Sequence, residues 1–156
     1  MCSSDLAQTV WDRLCAAVPQ VAPEHLVGLD DDALRACGLS GRKAGYVRDL
    51  AAKFHAGEVH PDQWQEMPDE AIAAELLTIR GIGRWTADMF LIFHLMRPDV
   101  LPLGDLGLIK GVSQTYFAGE PVTQSEVREV AAAWAPWRSV GTWYIWRSLD
   151  PLPVAY

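Results

Sequence analysis

One segment constrains this chain more than any other. Residues 84–96 form a nearly all-apolar run of helical length, directly after the turn Gly81-Ile82-Gly83. Apolar residues would occupy almost every side of the helix formed by this segment, and Pro98 would end it. Such a helix is typical of the centre of a helical fold, so we expect residues 84–96 to be buried.

The rest of the chain favours helices as well. Apolar residues recur at helical spacing, and no segment shows the two-residue alternation of a half-buried strand. Helices are predicted over residues 4–18, 40–56, 69–78, 105–117, 123–134 and 139–149, with shorter pieces within residues 23–37. With 156 residues, 50% of them hydrophobic, the sequence predicts a single all-α domain over residues 1–156.

Composition excludes several classes of protein. The longest mostly apolar run, residues 89–96, is too short to cross a bilayer, and no secretory segment opens the chain. Three cysteines without a C-x-x-C pair argue against a disulfide framework and an iron–sulfur cluster, so a reducing cytoplasm is expected. The net charge of −7 argues against nucleic acid at first sight, but it lies wholly in residues 1–75. Residues 76–156 are neutral overall.

The turn within residues 76–87 carries the first functional signal. Two glycines in G-x-G spacing allow positive φ and the close approach of another backbone. The helix that follows would present exposed amides and a positive dipole end, which suit a phosphate. A tight turn between packed helices is the alternative, and G-x-G alone would favour it. The flanks are more specific, with an apolar residue before the turn, Thr86-Ala87 after it and an apolar helix beyond.

Three motifs in chain order resemble those of one family. They are the turn 76–87, the loop 101–111 with the sequence LPLGDLGLIKG, and the closing segments 134–139 and 144–147. Together they are similar to helix–hairpin–helix DNA glycosylases with a Gly/Pro-rich loop and an aspartate, the HhH-GPD superfamily, and most of all to its DNA-3-methyladenine glycosylase II branch. The resemblance implies the all-α helix–hairpin–helix glycosylase fold. It also implies that N-terminal helices of that fold, with the apolar wedge that replaces a flipped nucleotide, are missing before residue 4.

Asp105 lies in the segment that resembles the family's catalytic loop and is the predicted catalytic residue. An aspartate that opens a helix is also an N-cap, and helix-end amides favour its ionised form. A fixed carboxylate stabilises the positive charge that builds on the sugar as the N-glycosidic bond breaks, and it can orient or deprotonate water. Asp88 is the competing acid, but its place in the first turn of a helix is more typical of a dipole partner.

Trp85 matches the position at which bifunctional members of the family carry a lysine. That lysine attacks the sugar and forms a Schiff base, which a tryptophan cannot do. The resemblance therefore implies a monofunctional enzyme without lyase activity. It would hydrolyse alkylated purines of the 3-methyladenine type from DNA with water and leave an abasic site.

The resemblance also implies a base pocket lined by Trp85, Trp146 and Met89, which a flipped base would enter. An indole face attracts a cationic alkylated base by about 0.5–2 kcal/mol. Met89 departs from the aromatic residue more usual at its position, and core packing is the alternative for Trp146. The tryptophans interpreted as core or packing residues are Trp11, Trp64, Trp134 and Trp137.

Contacts to DNA phosphates are expected from both backbone and side chains. The residues expected to make them are Gly81, Gly83, Arg84, Thr86 and Lys110. Surface solvation is the alternative for Arg84 and Lys110. The resemblance also implies that the backbone carbonyls of Leu77, Ile79 and Ile82 would hold a Na⁺ or K⁺ ion that bridges to a DNA phosphate. No other cofactor is required.

The partner implied is double-stranded DNA with damaged bases, bound by a monomer associated with the nucleoid of a bacterial-type cytoplasm. No membrane partner is expected. Two other functions stay open: a non-catalytic helix–hairpin–helix DNA-binding module or inactive glycosylase fragment, and an all-α interaction domain. Asp105 and its loop favour the enzyme, because a phosphate-binding hairpin needs neither.

Overall fold

The computed structural model describes the backbone of residues 3–150 and the side chains of residues 6–150. Regular structure within this range is entirely helical, so the all-α prediction is confirmed. Two compact units make up the chain, Met1–Ile82 and Gly83–Tyr156. The extent of a single domain over residues 1–156 stays a prediction.

The first unit contains five helices within its described residues. They are α1 (Ser3–Ala17), α2 (Pro23–Leu26), α3 (Asp31–Ala36), α4 (Gly41–His55) and α5 (Asp69–Leu77). The helix α4 packs against α2 and α3, and its small residues Ala44 and Ala51 are buried in that contact. Ser40 caps α4 by accepting a hydrogen bond from the Lys43 amide, and Gly57 follows the helix with a φ of +68°. These are the predicted ends of this helix.

Up to residue 150, the second unit contains four helices: α6 (Arg84–Phe93), α7 (Leu106–Tyr116), α8 (Gln124–Ala132) and α9 (Arg138–Ser148). The helix α7 packs against both α8 and α9. The buried residues Leu108, Val112, Val127 and Ile145 form a hydrophobic core between these three helices. Thr123 and Glu126 form a reciprocal capping box that fixes the start of α8.

The expectation that residues 84–96 are buried throughout is wrong in part. Ala87, Asp88, Leu91 and Ile92 are buried, but Trp85 and Phe93 are 50% and 59% exposed. The helix ends at Phe93, and Met96 has a φ of +54°. An apolar pattern does not separate a face that packs in a core from one that lines an open site.

The four tryptophans interpreted as core or packing residues divide into two groups. Trp64 is 4% exposed, and Trp134 packs against the core of the second unit. Trp11 and Trp137 are 51% and 59% exposed, so neither is a core residue. None of the helices in the described range is long and apolar enough to cross a bilayer.

Candidate active site

Asp105 begins α7, and its side chain serves as the cap of that helix. Its Oδ1 accepts a hydrogen bond from the Leu108 amide at 2.7 Å. The preceding loop supports the cap, because the amide of Asp105 donates to the carbonyl of Pro102 at 2.9 Å. This is the N-cap geometry predicted from the sequence, and it holds the carboxylate over the first turn of the helix.

Two indoles hold the same carboxylate. Nε1 of Trp146 donates to Oδ1 of Asp105 at 2.8 Å, and Nε1 of Trp85 donates to Oδ2 at 2.8 Å. Trp146 lies on α9 and Trp85 lies on α6, so three helices of the second unit meet at one side chain. The structure thus brings together the three residues that were predicted to form a catalytic site and a base pocket.

These contacts set the charge of Asp105. Partial burial is the largest influence and favours the neutral acid. The hydrogen bonds from the Trp146 and Trp85 indoles and from the Leu108 and Gly107 amides together outweigh it, and they lower the pKa of Asp105 below its ordinary value. The carboxylate is therefore ionised at neutral pH, and much of its capacity to accept hydrogen bonds is already used.

Exposed aromatic rings lie beside this carboxylate. Trp85, Met89 and Phe93 are spaced four residues apart on α6 and share one face of that helix. The Phe93 ring stacks on Trp146, with 5.8 Å between ring centroids and 15° between ring planes. Met89 is half-buried and lies between Trp85 and Phe93 along the helix. Phe93 was not among the predicted site residues, although its helical spacing from Trp85 could have indicated it.

The start of α9 is fixed by a second set of polar contacts. The Arg138 guanidinium donates to both carboxylate oxygens of Asp99 at 2.7 Å, and the Arg138 amide donates to Oδ1 at 3.1 Å. The Ser139 hydroxyl donates to the Arg97 carbonyl at 2.6 Å and accepts from the Val100 amide at 2.9 Å. These bonds attach the segment before Asp105 to the helix that carries Trp146.

The first part of the predicted hairpin belongs to the first unit. Gly81 has a φ of +93°, and a Cβ atom there would lie 2.4 Å from the Tyr46 ring, so no other residue fits without a rearrangement. Oδ2 of Asp49 on α4 accepts a hydrogen bond from the Arg80 amide at 2.7 Å. Tyr46 and Asp49 thus hold this turn from α4.

The second part of the hairpin begins α6. Gly83 occupies the N-cap position, and the helix that follows carries the exposed residues Arg84 and Thr86. Nε of Arg84 donates to Oδ1 of Asp88 at 2.8 Å, and Asp88 is 2% exposed. Asp88 is thus buried and ion-paired, which fits a structural role. Lys110 is exposed on α7, and phosphate contacts by these residues stay predictions.

The carbonyls predicted to bind a monovalent cation lie at the end of α5 and in the turn after it. The Ile79 carbonyl accepts the Ile82 amide at 3.1 Å, which closes the turn and leaves this oxygen a second lone pair. Neutral carbonyl oxygens are suitable donors for Na⁺ or K⁺. The chemistry of the donors therefore suits the predicted ion, and its binding by Leu77, Ile79 and Ile82 stays a prediction.

Comparison with known proteins identifies similar sequences among DNA glycosylases. Residues 2–136 match the family described as HhH-GPD superfamily base excision DNA repair protein. DNA-3-methyladenine glycosylase 1 of Schizosaccharomyces pombe is 32% identical over 127 residues, which cover 81% of this chain and 56% of that protein. The chain spans about half the length of the curated relatives it matches.

Two solved structures are similar over nearly the whole chain. DNA-3-methyladenine glycosidase from Bacillus halodurans has a TM-score of 0.88 and 32% identity, with 96% of this chain and 70% of that chain covered. The 3-methyladenine DNA glycosylase of Schizosaccharomyces pombe in complex with abasic DNA has a TM-score of 0.80 and 28% identity, with coverage of 99% and 77%. The predicted fold is therefore confirmed, and the chain belongs to the HhH-GPD superfamily of base excision DNA repair proteins, in the 3-methyladenine glycosylase branch.

Proposed function

We propose that this chain carries the active site of a monofunctional DNA glycosylase, which removes alkylated purines of the 3-methyladenine type from double-stranded DNA. One observation carries the proposal. An ionised carboxylate, Asp105, is held by two indole N–H groups beside exposed aromatic rings. The names of the relatives support the same substrate class.

The substrate chemistry matches a site built around one carboxylate. A purine alkylated at N3 carries a positive charge in the nucleotide. When the bond between C1′ and the base nitrogen breaks, its electron pair stays with the base, which leaves as a neutral molecule. Departure needs no added proton, and the positive charge moves to the sugar. The group required of the protein is therefore an anion next to C1′.

Asp105 is proposed to be that anion. Its lowered pKa makes it a weak base, so its main contribution is electrostatic stabilisation of the sugar cation. Water then forms a bond from its oxygen to C1′ and loses a proton to the solvent or to Asp105. The products are the free base and an abasic site.

Trp85 supports the monofunctional reaction. Its indole has no amine that could attack C1′ and form a Schiff base, so cleavage of the DNA strand through such an intermediate is not expected. The side chain donates to Asp105 instead, at 2.8 Å. Trp85 thus supports the carboxylate from the position where bifunctional relatives carry their nucleophile.

The exposed aromatic face of α6 is proposed to receive the base after it flips out of the duplex. Trp85, which is 50% exposed, offers a ring face to a cationic purine, and Met89 follows it one turn later. Trp146, by contrast, has one ring face against Phe93. We therefore assign base stacking mainly to Trp85 and support of Asp105 mainly to Trp146.

Most contacts to DNA phosphates are assigned to the hairpin. Gly81, Gly83 and Thr86 would donate amides to phosphates, with Arg84 and Lys110 adding charge. Na⁺ or K⁺ on the carbonyls of Leu77, Ile79 and Ile82 would strengthen the same contact. Binding of phosphates by backbone amides is compatible with a net charge of −7, because amides carry no formal charge.

The test is base release from methylated duplex DNA under single-turnover conditions, with Asp105→Asn compared to Asp30→Asn. Asp30 caps α3 by accepting the Ala33 amide at 2.8 Å, so it matches Asp105 as a helix cap without the indole contacts. Asparagine caps helices about as well as aspartate, so both variants should fold. We expect Asp105→Asn to slow base release by about 10²–10³-fold. This is the usual cost of removing one group that stabilises the charge developing in the transition state.

Release that is equal in the two variants would remove Asp105 from the mechanism. The second candidate function is a DNA-binding module without activity, which the exposed N-terminus of α6 after Gly83 supports. It predicts salt-dependent binding to duplex DNA with no base release by the unaltered chain.

A further inference from the structure

Gly107 lies two residues after Asp105, inside α7, and nothing in its backbone requires a glycine. It is helical, and its φ is not among the positive values found in the described residues. Gly107 is the second residue of α7, so a glycine there costs less than the roughly 1 kcal/mol that it costs in a helix interior relative to alanine. Because the backbone at this position does not need a glycine, the contacts that a side chain would make are the informative feature.

The space at Gly107 is occupied by two site residues. A Cβ atom there would lie 3.0 Å from Oδ1 of Asp105 and 3.2 and 3.3 Å from Cδ1 and Nε1 of Trp146. These are the atoms at which the carboxylate and the indole meet. An added methyl group would therefore press directly on their hydrogen bond.

The neighbouring contacts limit how the pair could yield. One turn later, a Cβ at Gly111 would lie 2.3 Å from Cγ2 of Ile145, so α9 already packs closely on α7 at that point. The ring of Trp146 stacks on Phe93. Trp146 is thus confined by Phe93 and by α7, and the hydrogen bond to Asp105 is the contact that would lengthen.

We propose that Gly107 is a positioning residue, whose missing side chain provides the space in which the Asp105 carboxylate and the Trp146 indole make their hydrogen bond. The proposal rests on the proposed function for its effect on catalysis, and on geometry alone for its effect on the indole. The backbone amide of Gly107 adds to the same arrangement by donating toward Asp105.

The test compares Gly107→Ala with Gly104→Ala. Gly104 adjoins Asp105 on its other side, and a Cβ there would meet no atom within 4 Å, so it is a matched control. We expect Gly107→Ala to remain folded, with a small change in unfolding temperature, because a modest gain in helix propensity opposes the close contacts of the methyl group. The Trp146 indole N–H resonance should shift in a ¹H–¹⁵N spectrum, and base release should slow by about tenfold, because a displacement below 1 Å costs less than the 10²-fold typical of 1 Å. Gly104→Ala should match the unaltered chain in both readouts.

A double-mutant cycle with Trp146→Phe separates positioning from a general loss of structure. If the methyl group acts through the indole, Gly107→Ala should cost less in a Trp146→Phe background, where the hydrogen bond is already gone and Oδ1 of Asp105 is the close contact that remains. Additive effects would overturn the proposal, and so would an unshifted indole resonance in Gly107→Ala. If the unaltered chain releases no base while the indole resonance still shifts, the proposed function fails and the positioning role stands.

Discussion

The two units each contain a carboxylate held by an indole, and the two sites differ in what lies around them. In the first unit, Glu75 accepts the Trp64 indole at 2.8 Å, the His60 amide at 3.1 Å and His60 Nδ1 at 2.7 Å. In the second unit, Asp105 accepts two indoles and a helix amide. For both carboxylates, burial favours the neutral form, yet the hydrogen bonds outweigh it and lower the pKa.

The surrounding rings distinguish the two sites. Trp64 is 4% exposed and packs edge-on against Phe54, whereas Trp85 and Phe93 in the second unit are 50% and 59% exposed. Glu75 thus ties a loop to α5, while Asp105 lies where another molecule can reach the rings around it. A strongly hydrogen-bonded carboxylate does not by itself indicate an active site; the accessible aromatic surface beside Asp105 is the observation that favours the proposed role for it over Glu75.

Removing one indole N–H from each site should give the largest difference between the two units in the rate of base release. In Trp146→Phe, a hydrogen bond to a charged group is lost, so base release should slow by about 10- to 100-fold, equivalent to 1.5–3 kcal/mol. In Trp64→Phe, the corresponding loss in the first unit should lower the free energy of unfolding by a similar amount and leave release unchanged. Single-turnover kinetics and urea unfolding measure the two effects.

One outcome would contradict the expected difference between Trp146→Phe and Trp64→Phe. Equal slowing of base release by both substitutions would mean that the two indole–carboxylate pairs contribute through stability alone. The assays should therefore be run well below the unfolding midpoint of the weaker variant.

Glu75→Gln addresses the first site from the side of the carboxylate. The amide cannot accept all three donors and adds a donor of its own, so we expect a loss of about 1–3 kcal/mol in the free energy of unfolding. Base release at a temperature where the variant is folded should equal that of the unaltered chain. A loss of activity in the folded variant would place the first-unit carboxylate in the mechanism.

The pH dependence of Asp105 should follow from its lowered pKa. We expect its carboxyl carbon to titrate by NMR below the ordinary aspartate value of about 3.9, and closer to that value in Trp146→Phe. Because the folded pKa lies below the unfolded one, the ionised group contributes stability above about pH 4, which is lost as pH falls through the folded pKa. Titration at or above the ordinary value would contradict the hydrogen-bonded arrangement.

The smallest expected effect concerns Asp49, the carboxylate that accepts the Arg80 amide. Asparagine keeps an acceptor for this amide and removes a negative charge next to the hairpin. Affinity for duplex DNA at low salt should rise by about two- to threefold, which corresponds to a partly screened surface charge, and the gain should shrink as salt is added. Asp62→Asn makes the same change in net charge at an exposed position, and an equal gain there would rule out a local effect.

Much of this architecture follows from the sequence. Ser40, Gly57, Thr123 and Asp105 mark helix ends by local chemistry, and the structure places them at those ends. Asp105, Trp85 and Trp146 were predicted through motif resemblance, and their side chains do meet. Local rules and a family motif were sufficient here because each depends on a few residues close in sequence.

Other features depend on contacts between distant segments. The exposure of Trp85 and Phe93 depends on what packs against α6, which a run of apolar residues does not reveal. Gly107 resembles an ordinary helical glycine until Trp146, 39 positions later, is placed beside it. The bidentate pairing of Asp99 with Arg138 likewise joins segments 39 residues apart, and nothing in either segment indicates its partner.

That pairing has a consequence for the order in which the molecule is made. Asp99–Arg138 and Asp105–Trp146 join the same two stretches of chain at separations of 39 and 41 residues. Both bonds require α9 to have left the ribosome and docked, so closing this long loop precedes any complete arrangement at Asp105. A nascent chain that ends before α9 would have the hairpin, the aspartate and the Trp85 indole but lack the second indole donor, Trp146. If Asp105 acts as proposed, base release should reach its full rate only once α9 is in place.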